Sequence, residues 1–424
     1  MNAFRNVHSS IFVILPAILC LTLGCGKRQP TVQQEIKAEK NRTVAKSFSG
    51  STSDDLGEYA ESLKRFFDEC GVAMSSGDPK RFVKVFDSRM TFRLLKQQKM
   101  LPSSMTNEER MAREFDKLMP QRLADPTTGL GWEKYEIRRV EFIKDDSEAV
   151  VYVRHWDADG IAFKMRWWLI RNGDRWRAYD FEWLEVSMRF SVTMGIGFKM
   201  VDQDDPSGKR LPELMMAVQE GLTSDVESAM ETLQDLDGVG FPPVVESLRL
   251  MMLAVFLADD GEYEQALERA KGALAINPDM PLIHLIKSAC YNGLLQHEKA
   301  MKSAERYAKL LGRDGDYFVE LGDAQAGLGE KQKAIDAYRS GLEDDPQSGN
   351  NVLGLLKILP DEQRDAVIVR YKALIGVDEW FVSFSETLLQ KGDTETLRVL
   401  IDIHRKIMPD DENIPFYEEA LAEF

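Results

Sequence analysis

Cysteine and histidine chemistry bounds what this chain can do. Cys20, Cys25, Cys70 and Cys290 show no C-x-x-C spacing, so no zinc site is expected. Cys70 and Cys290 fall in separate helical patterns and read as buried free thiols rather than a disulfide. His155, Asp157, Asp159, Tyr179, Asp180 and Glu182 crowd into one aromatic segment, where a carboxylate paired with Tyr or His could move a proton. HExxH, GxxxxGK[ST] and GxSxG are all missing. No catalytic residue, metal ligand or cofactor is therefore assigned.

The elements that hold that segment read as strands. Period-two alternation predicts strands over 134–143, 147–157, 161–171 and 175–187, with turns at Asp145-Asp146, Asp157–Gly160 and Asn172-Gly173. Short turns make the sheet an antiparallel meander. A three-residue loop, Arg171-Asn172-Gly173, sets Met165 opposite Tyr179, Phe163 opposite Phe181 and Lys164 opposite Asp180, pairing apolar with apolar and opposite charges together. On that register Asp180 and Glu182 share a solvated, ion-paired face with Lys164 and Arg166, which makes them poor general bases. His155 alternates with Ala149, Val151 and Val153 and faces inward; a lone inward His reads as structural.

Helices precede the sheet. Asp55 and Glu58 form a capping-box pattern before an apolar stripe through Leu63, Phe66, Phe67, Cys70 and Ala73. In Gly77-Asp78-Pro79, Gly77 suits a left-handed helix end, and Asp78 with Pro79 suits the start of a short helix. A further helix is expected over 107–119. This order of elements resembles the nuclear-transport-factor-two-like (SnoaL-like) family. The resemblance implies a curved sheet wrapped as a cone around a helix, in a family that includes isomerases, dehydratases, ligand binders and inert scaffolds. It leaves open a small-ligand pocket or an active site in the cone.

The chain has 424 residues, 44% of them hydrophobic, and a net charge of −16. Its length suggests two domains, and its acidity argues against nucleic acid as the main partner.

The second half repeats. Ala266, Ala300 and Ala334 are spaced 34 apart, and so are Pro278, Gly312 and Pro346. Repeats fall at about 247–280, 281–314 and 315–348. The stretch 349–377 is irregular, and a degenerate unit follows at 378–411. Residues 211–236 read as a helix pair split at Gly221 with Ser224 as cap. The pattern resembles the tetratricopeptide repeat, in which the first helix of each pair lines a concave groove. Carried over, the groove positions are Leu248, Met251 and Val255, then Leu282, Leu285, Ala289 and Asn292, then Asp316, Val319 and Asp323. The basic and Asn set that clamps a C-terminal carboxylate in some members is absent. A largely apolar groove must be covered, either by the chain itself or by a docked partner segment.

The N-terminus reads as an export signal. Arg5 precedes an apolar stretch from Ile11 to Gly24, too short for a membrane-spanning helix of about 20 residues. Leu21-Thr22-Leu23-Gly24-Cys25 resembles the bacterial lipoprotein processing site, although Thr22 stands where that family usually has Leu. The resemblance implies that Cys25 is lipidated, and Gly26 after it slightly favours the outer membrane. Residues 26–53 read as a tether with a reach of roughly 30 Å.

The expected organisation is a signal over 1–25, a tether over 26–53, an α+β domain over 54–200, a linker over 201–210 and an all-α tetratricopeptide superhelix over 211–424. The expected function is a non-enzymatic, membrane-anchored envelope scaffold that binds a protein partner through the groove.

Overall fold

Several helices of this chain start at a polar side-chain cap, at Asp78, Asp87, Asn107, Asp225, Asp314 and Asp393, as the computed structural model shows. It describes residues 49–52, 59–101, 107–124, 131–143, 146–158, 160, 162–184, 187–200, 205–223, 225–278, 280–390 and 392–422. Cys25, the tether, Asp55 and Glu58 lie outside the described residues, except that Ser49–Thr52 forms strand β1. The chain divides into two compact units between Arg249 and Leu250.

In the first unit, helices α1 (Ala60–Ser76), α2 (Pro79–Val85), α3 (Ser88–Gln97) and α4 (Glu108–Leu123) precede the sheet. Gly77 closes α1 with φ +63°, and the Asp78 carboxylate accepts from the Lys80 N–H to start α2. Helix α3, capped by Asp87, was not expected; its charged residues mask a short apolar stripe. Asn107 caps α4, which runs on to Leu123 rather than stopping at 119.

The strands are β2 (Lys134–Ile143), β3 (Glu148–Trp156), β4 (Ala162–Asn172), β5 (Arg175–Trp183) and β6 (Met188–Arg189). They lie in sequence order; β1 runs parallel to β2 and every other neighbour is antiparallel.

The β4–β5 register corrects the expected one. Asn172 pairs with Arg175, leaving a two-residue Gly173-Asp174 loop with Gly173 at φ +65°. A bulge at Tyr179 then brings Trp168 opposite Asp180, Trp167 opposite Phe181, Arg166 opposite Glu182 and Met165 opposite Trp183. The pairing rule is still obeyed, apolar with apolar and Arg with Glu. It is obeyed in a different register, because side-chain facing repeats every two residues and several registers satisfy it.

The helices bury one face of this sheet. Phe67 of α1 lies 5.9 Å from Trp167 and 5.4 Å from Tyr135, and Phe86 lies 6.4 Å from Phe181. Thr91 of α3 donates to the Tyr179 carbonyl at 2.7 Å. Helices α5 (Phe190–Met200), α6 (Pro206–Thr223) and α7 (Val226–Asp235) follow. Residues 206–210, expected as linker, form the first turns of α6. Gly221 lies within α6 and does not split it, and Asp225 rather than Ser224 caps α7. Both helices fall in the first unit, upstream of the boundary.

Helix α8 (Pro243–Asp259) contains that boundary, and helix hairpins follow: α9 (Tyr263–Ile276), α10 (Pro281–Gly293), α11 (His297–Leu311), α12 (Gly315–Gly327) and α13 (Lys331–Asp344). The irregular stretch is α14 (Gly349–Ile358) and α15 (Asp365–Lys372) around a single 3-10 turn. The degenerate unit is α16 (Val377–Gln390) and α17 (Thr394–Ile407), closed by α18 (Asn413–Ala422).

Ala266, Ala300 and Ala334 are fully buried, as small residues at helix crossings must be. At Gly322 an added Cβ would meet the Tyr338 ring at 2.4 Å, so close helix approach excludes any side chain there. The turns between paired helices are left-handed at Gly261 (φ +87°) and Gly329 (φ +76°). The second repeat has no Gly at this position, and Leu295 takes φ +56° in its place.

Candidate functional site

Helix α12 places three carboxylates of the third repeat at Asp316, Glu320 and Asp323, spacings of four and three that put them on one face. Asp323 is exposed, Asp316 is half-buried and Glu320 is buried at 5% exposure. Asn292 of α10 crosses to Glu320, its side-chain amide donating to the carbonyl O at 3.2 Å and to Oε2 at 3.1 Å. Asn292 Oδ1 in turn meets His297 Nδ1 at 3.3 Å, and Asp323 accepts from the Tyr338 hydroxyl at 2.6 Å. Burial first, and the neighbouring Asp323 charge second, push the Glu320 carboxyl up to about 8. This buried carboxyl accepts from one expected groove residue, Asn292, and feels the like charge of another, Asp323. It was not singled out in the sequence, although its place between Val319 and Asp323 at helical spacing was the available signal.

The other expected groove positions are covered. Leu248, Met251, Val255, Leu282, Leu285 and Ala289 are all buried at 7% exposure or less, and Val319 is at 8%. In the C-terminal unit the Gln390 amide at the end of α16 donates to the Asp259 carbonyl at the end of α8 at 3.2 Å. The open part of the expected groove is polar: Asn292, Asp316 and Asp323.

In the first unit His155 faces inward and is fully buried among Trp132 (4.4 Å), Phe163 (5.2 Å) and Trp167. Trp167 Nε1 donates to His155 Nε2 at 3.3 Å, while Nδ1 has no partner. Burial holds the ring down to about 3, so it is neutral at pH 7 and too weak a base for general-base work. Asp180 and Glu182 are not solvated as expected; they are exposed by 0% and 1%. Asp180 accepts from the Ser191 N–H and hydroxyl and from Arg189 Nε, and Glu182 pairs with Arg166. Tyr179 donates to Glu148 at 3.2 Å. Asp157 is half-buried in its turn, and Asp159 lies outside the described residues.

Cys70 and Cys290 are free and buried, and burial pushes the Cys290 thiol up to about 12. Among the described residues no group of three or more His, Cys, Asp or Glu is placed to hold a metal, and no helix is long and apolar enough to cross a membrane.

No family model matches the chain. It is similar to Small glutamine-rich tetratricopeptide repeat-containing protein 2 of Mycosarcoma maydis, with 30% identity over 87 residues, 20% of this chain and 25% of that protein. It is also similar to Tetratricopeptide repeat protein 28 of Homo sapiens, with 28% identity over 116 residues, 27% of this chain and 5% of that protein. The chain spans a quarter or less of the length of these curated relatives. Its C-terminal half carries repeats of tetratricopeptide type.

Two solved structures are also similar. A thermophilic TPR protein of Thermus thermophilus has 17% identity and a TM-score of 0.33, covering 50% of this chain and 98% of that one. The C-terminal part of a TPR repeat-containing protein from Cytophaga hutchinsonii has 14% identity and a TM-score of 0.32, covering 53% and 93%. Scores of this size carry no argument about the fold, which rests on the helix hairpins and their period.

Proposed function

We propose that this protein is a non-enzymatic, lipid-anchored scaffold of the cell envelope that binds a protein partner through the third repeat of its array. Cys25 is the attachment point, and residues 26–48 form the tether, shorter than expected from the sequence because Ser49–Thr52 pairs with β2. The observation that carries the partner-binding part is the contrast along the groove. The apolar positions of the first two repeats are already buried, while Asp316 and Asp323 remain accessible on either side of buried Glu320. Repeat arrays bind extended or helical segments on such surfaces. An acidic docking strip selects a segment bearing Lys or Arg, and the charges steer its approach.

The test is a crosslinked pull-down from native membranes with the intact protein, an Asp316→Lys/Asp323→Lys variant and a Cys25→Ser variant. The expected result is a specific partner lost on charge reversal, with the circular dichroism of the repeat unit retained, and release from the membrane on loss of Cys25. A partner that persists on the charge-reversed protein would remove the third repeat as the binding surface. A Cys25→Ser variant that stays membrane-bound would remove the lipid anchor.

One observation favours a second reading, a small ligand inside the sheet of the first unit. His155 Nδ1 and Trp183 Nε1 are both buried without a hydrogen-bond partner, and Phe163 stacks between the two rings at 5.2 Å and 5.1 Å. Native mass spectrometry decides it. A bound small molecule that His155→Phe expels supports the reading, and a bare wild-type mass sinks it.

A further inference from the structure

Strand β3 is buried at every position from Glu148 to His155, on both of its faces. An antiparallel sheet packed by helices on one side commonly leaves its other side to water. Here the helices take one side. Phe67 of α1 lies 5.9 Å from Trp167, and Phe86 and Phe190 lie 6.4 Å and 4.6 Å from Phe181. The opposite side carries Tyr152, Arg154, Arg166, Trp168 and Glu182, because side chains alternate along each strand. It is closed all the same: Arg154 and Trp168 are 3% and 9% exposed, and Tyr152, Arg166 and Glu182 are 2% or less.

Cations and rings interleave along that side. The Arg166 guanidinium lies 4.7 Å over Trp168 and 5.7 Å from the Tyr152 ring, and Arg154 and Lys134 lie 4.9 Å and 4.5 Å from the Trp156 ring. Tyr152, Arg154, Lys164, Arg166 and Glu182 each make a further interaction. A cover that shuts out water and also meets five polar side chains is polypeptide. It belongs to the same chain, because the burial is that of a single chain. Of the stretches outside the described residues, only 1–48 is longer than six residues. That stretch leads straight onto this sheet. Ser49 opens β1 opposite Lys134, at the corner where Lys134 meets Trp156.

We propose that the chain's own residues 32–48 dock across this outer face of the sheet, as a strap anchored by β1. Residues 1–24 read as a removed signal, and 26–31 carry no large apolar side chain. Residues 32–48 supply Val32, Ile36, Val44 and Phe48 for the aromatic rings, and Glu35 and Glu39 for the arginines. From β2 to β5 the face is three strand spacings wide, roughly 15 Å. Even coiled as a helix, the segment spans roughly 25 Å. The strap depends neither on a lipid at Cys25 nor on the acidic strip of α12. It leaves only a short free link between Cys25 and the folded unit.

The experiment digests the purified full chain with trypsin and follows each cleavage site by mass spectrometry. Lys37, Lys40, Arg42 and Lys46 all lie inside the strap. Wild type is compared with Ile36→Ser/Val44→Ser, which removes two apolar anchors and changes no residue of either folded unit. Cleavage at the four sites should be at least about tenfold slower in wild type, since a docked segment is cut only when it opens. The same variant should raise acrylamide quenching of tryptophan fluorescence. Adding Trp156→Phe/Trp168→Phe should remove that rise, because those two rings lie on the strapped face. Equal cleavage in the two proteins overturns the docking. Slower cleavage in wild type with unchanged quenching also overturns it, by placing the segment elsewhere. Protection that fades on dilution, with dimers in native mass spectrometry, assigns the cover to a second copy and overturns it as well.

Discussion

Arg166 on β4 donates from Nε to Glu182 Oε2 on β5 at 2.7 Å, and both side chains are only 2% exposed. They are direct cross-strand partners, and the guanidinium also lies over the Trp168 ring at 4.7 Å. A buried pair of this kind is costly to break and cheap to replace whole. Arg166→Met or Glu182→Gln alone should lower stability by about 3–5 kcal/mol, while Arg166→Met with Glu182→Leu should come within about 1 kcal/mol of wild type or exceed it. Six of the seven tryptophans lie between Trp132 and Trp183, so tryptophan fluorescence during urea unfolding reads this unit. Equal losses in the single and double variants would show that the ion pair is not the source.

Glu320 gives the repeat unit a pH dependence of unusual sign. Its folded value of about 8 lies above the ordinary carboxyl value of 4.5, raised by burial and then by Asp323. Between those values the folded state holds a proton that the unfolded state has released, so stability falls as pH rises from about 4.5 to 8 and levels off above. Each unit of separation corresponds to about 1.4 kcal/mol, so the loss is of order a few kcal/mol. Glu320→Gln should therefore melt higher than wild type at pH 8 and lose that advantage at pH 4.5. A stability difference independent of pH would show that Glu320 is ionised in the fold.

His155 acts in the opposite direction in the first unit. Burial holds its folded value near 3, below the ordinary 6.5. Between them the unfolded state binds the extra proton, so stability is complete above 6.5 and declines as pH falls toward 3. Hydrogen exchange at strand β3, measured at pH 7 and pH 5, should show protection falling in wild type and falling less in His155→Phe. Identical acid sensitivity in the two proteins would place its origin elsewhere.

Leu295 holds a left-handed backbone at φ +56° with its side chain 78% exposed. The position is imposed by the helix hairpin, since Gly261 and Gly329 hold the same turn one repeat away. An L-residue is strained there and buries nothing in return. Leu295→Gly should stabilise the repeat unit by about 0.5–1 kcal/mol, read as a higher unfolding midpoint by far-ultraviolet circular dichroism. A lower midpoint would mean that the leucine side chain carries packing that its exposure does not suggest.

The sequence by itself determined much of what local chemistry controls, though not helix α3, the continuity of α6 through Gly221 or the Asp225 cap of α7. The 34-residue period located the hairpins, the Gly77-Asp78-Pro79 junction was legible because each residue has one backbone task, and the strands over 134–183 followed from alternation to within a few residues. Only the tertiary structure decided the β4–β5 register, since facing repeats every two residues and a bulge at Tyr179 leaves no local mark. Only the tertiary structure showed that Asp180, Glu182 and Arg166 are buried and that Glu320 joins Asn292 to the acidic strip. Burial and charge neighbourhood are set by residues distant in the chain, and a one-dimensional pattern records faces but not what covers them.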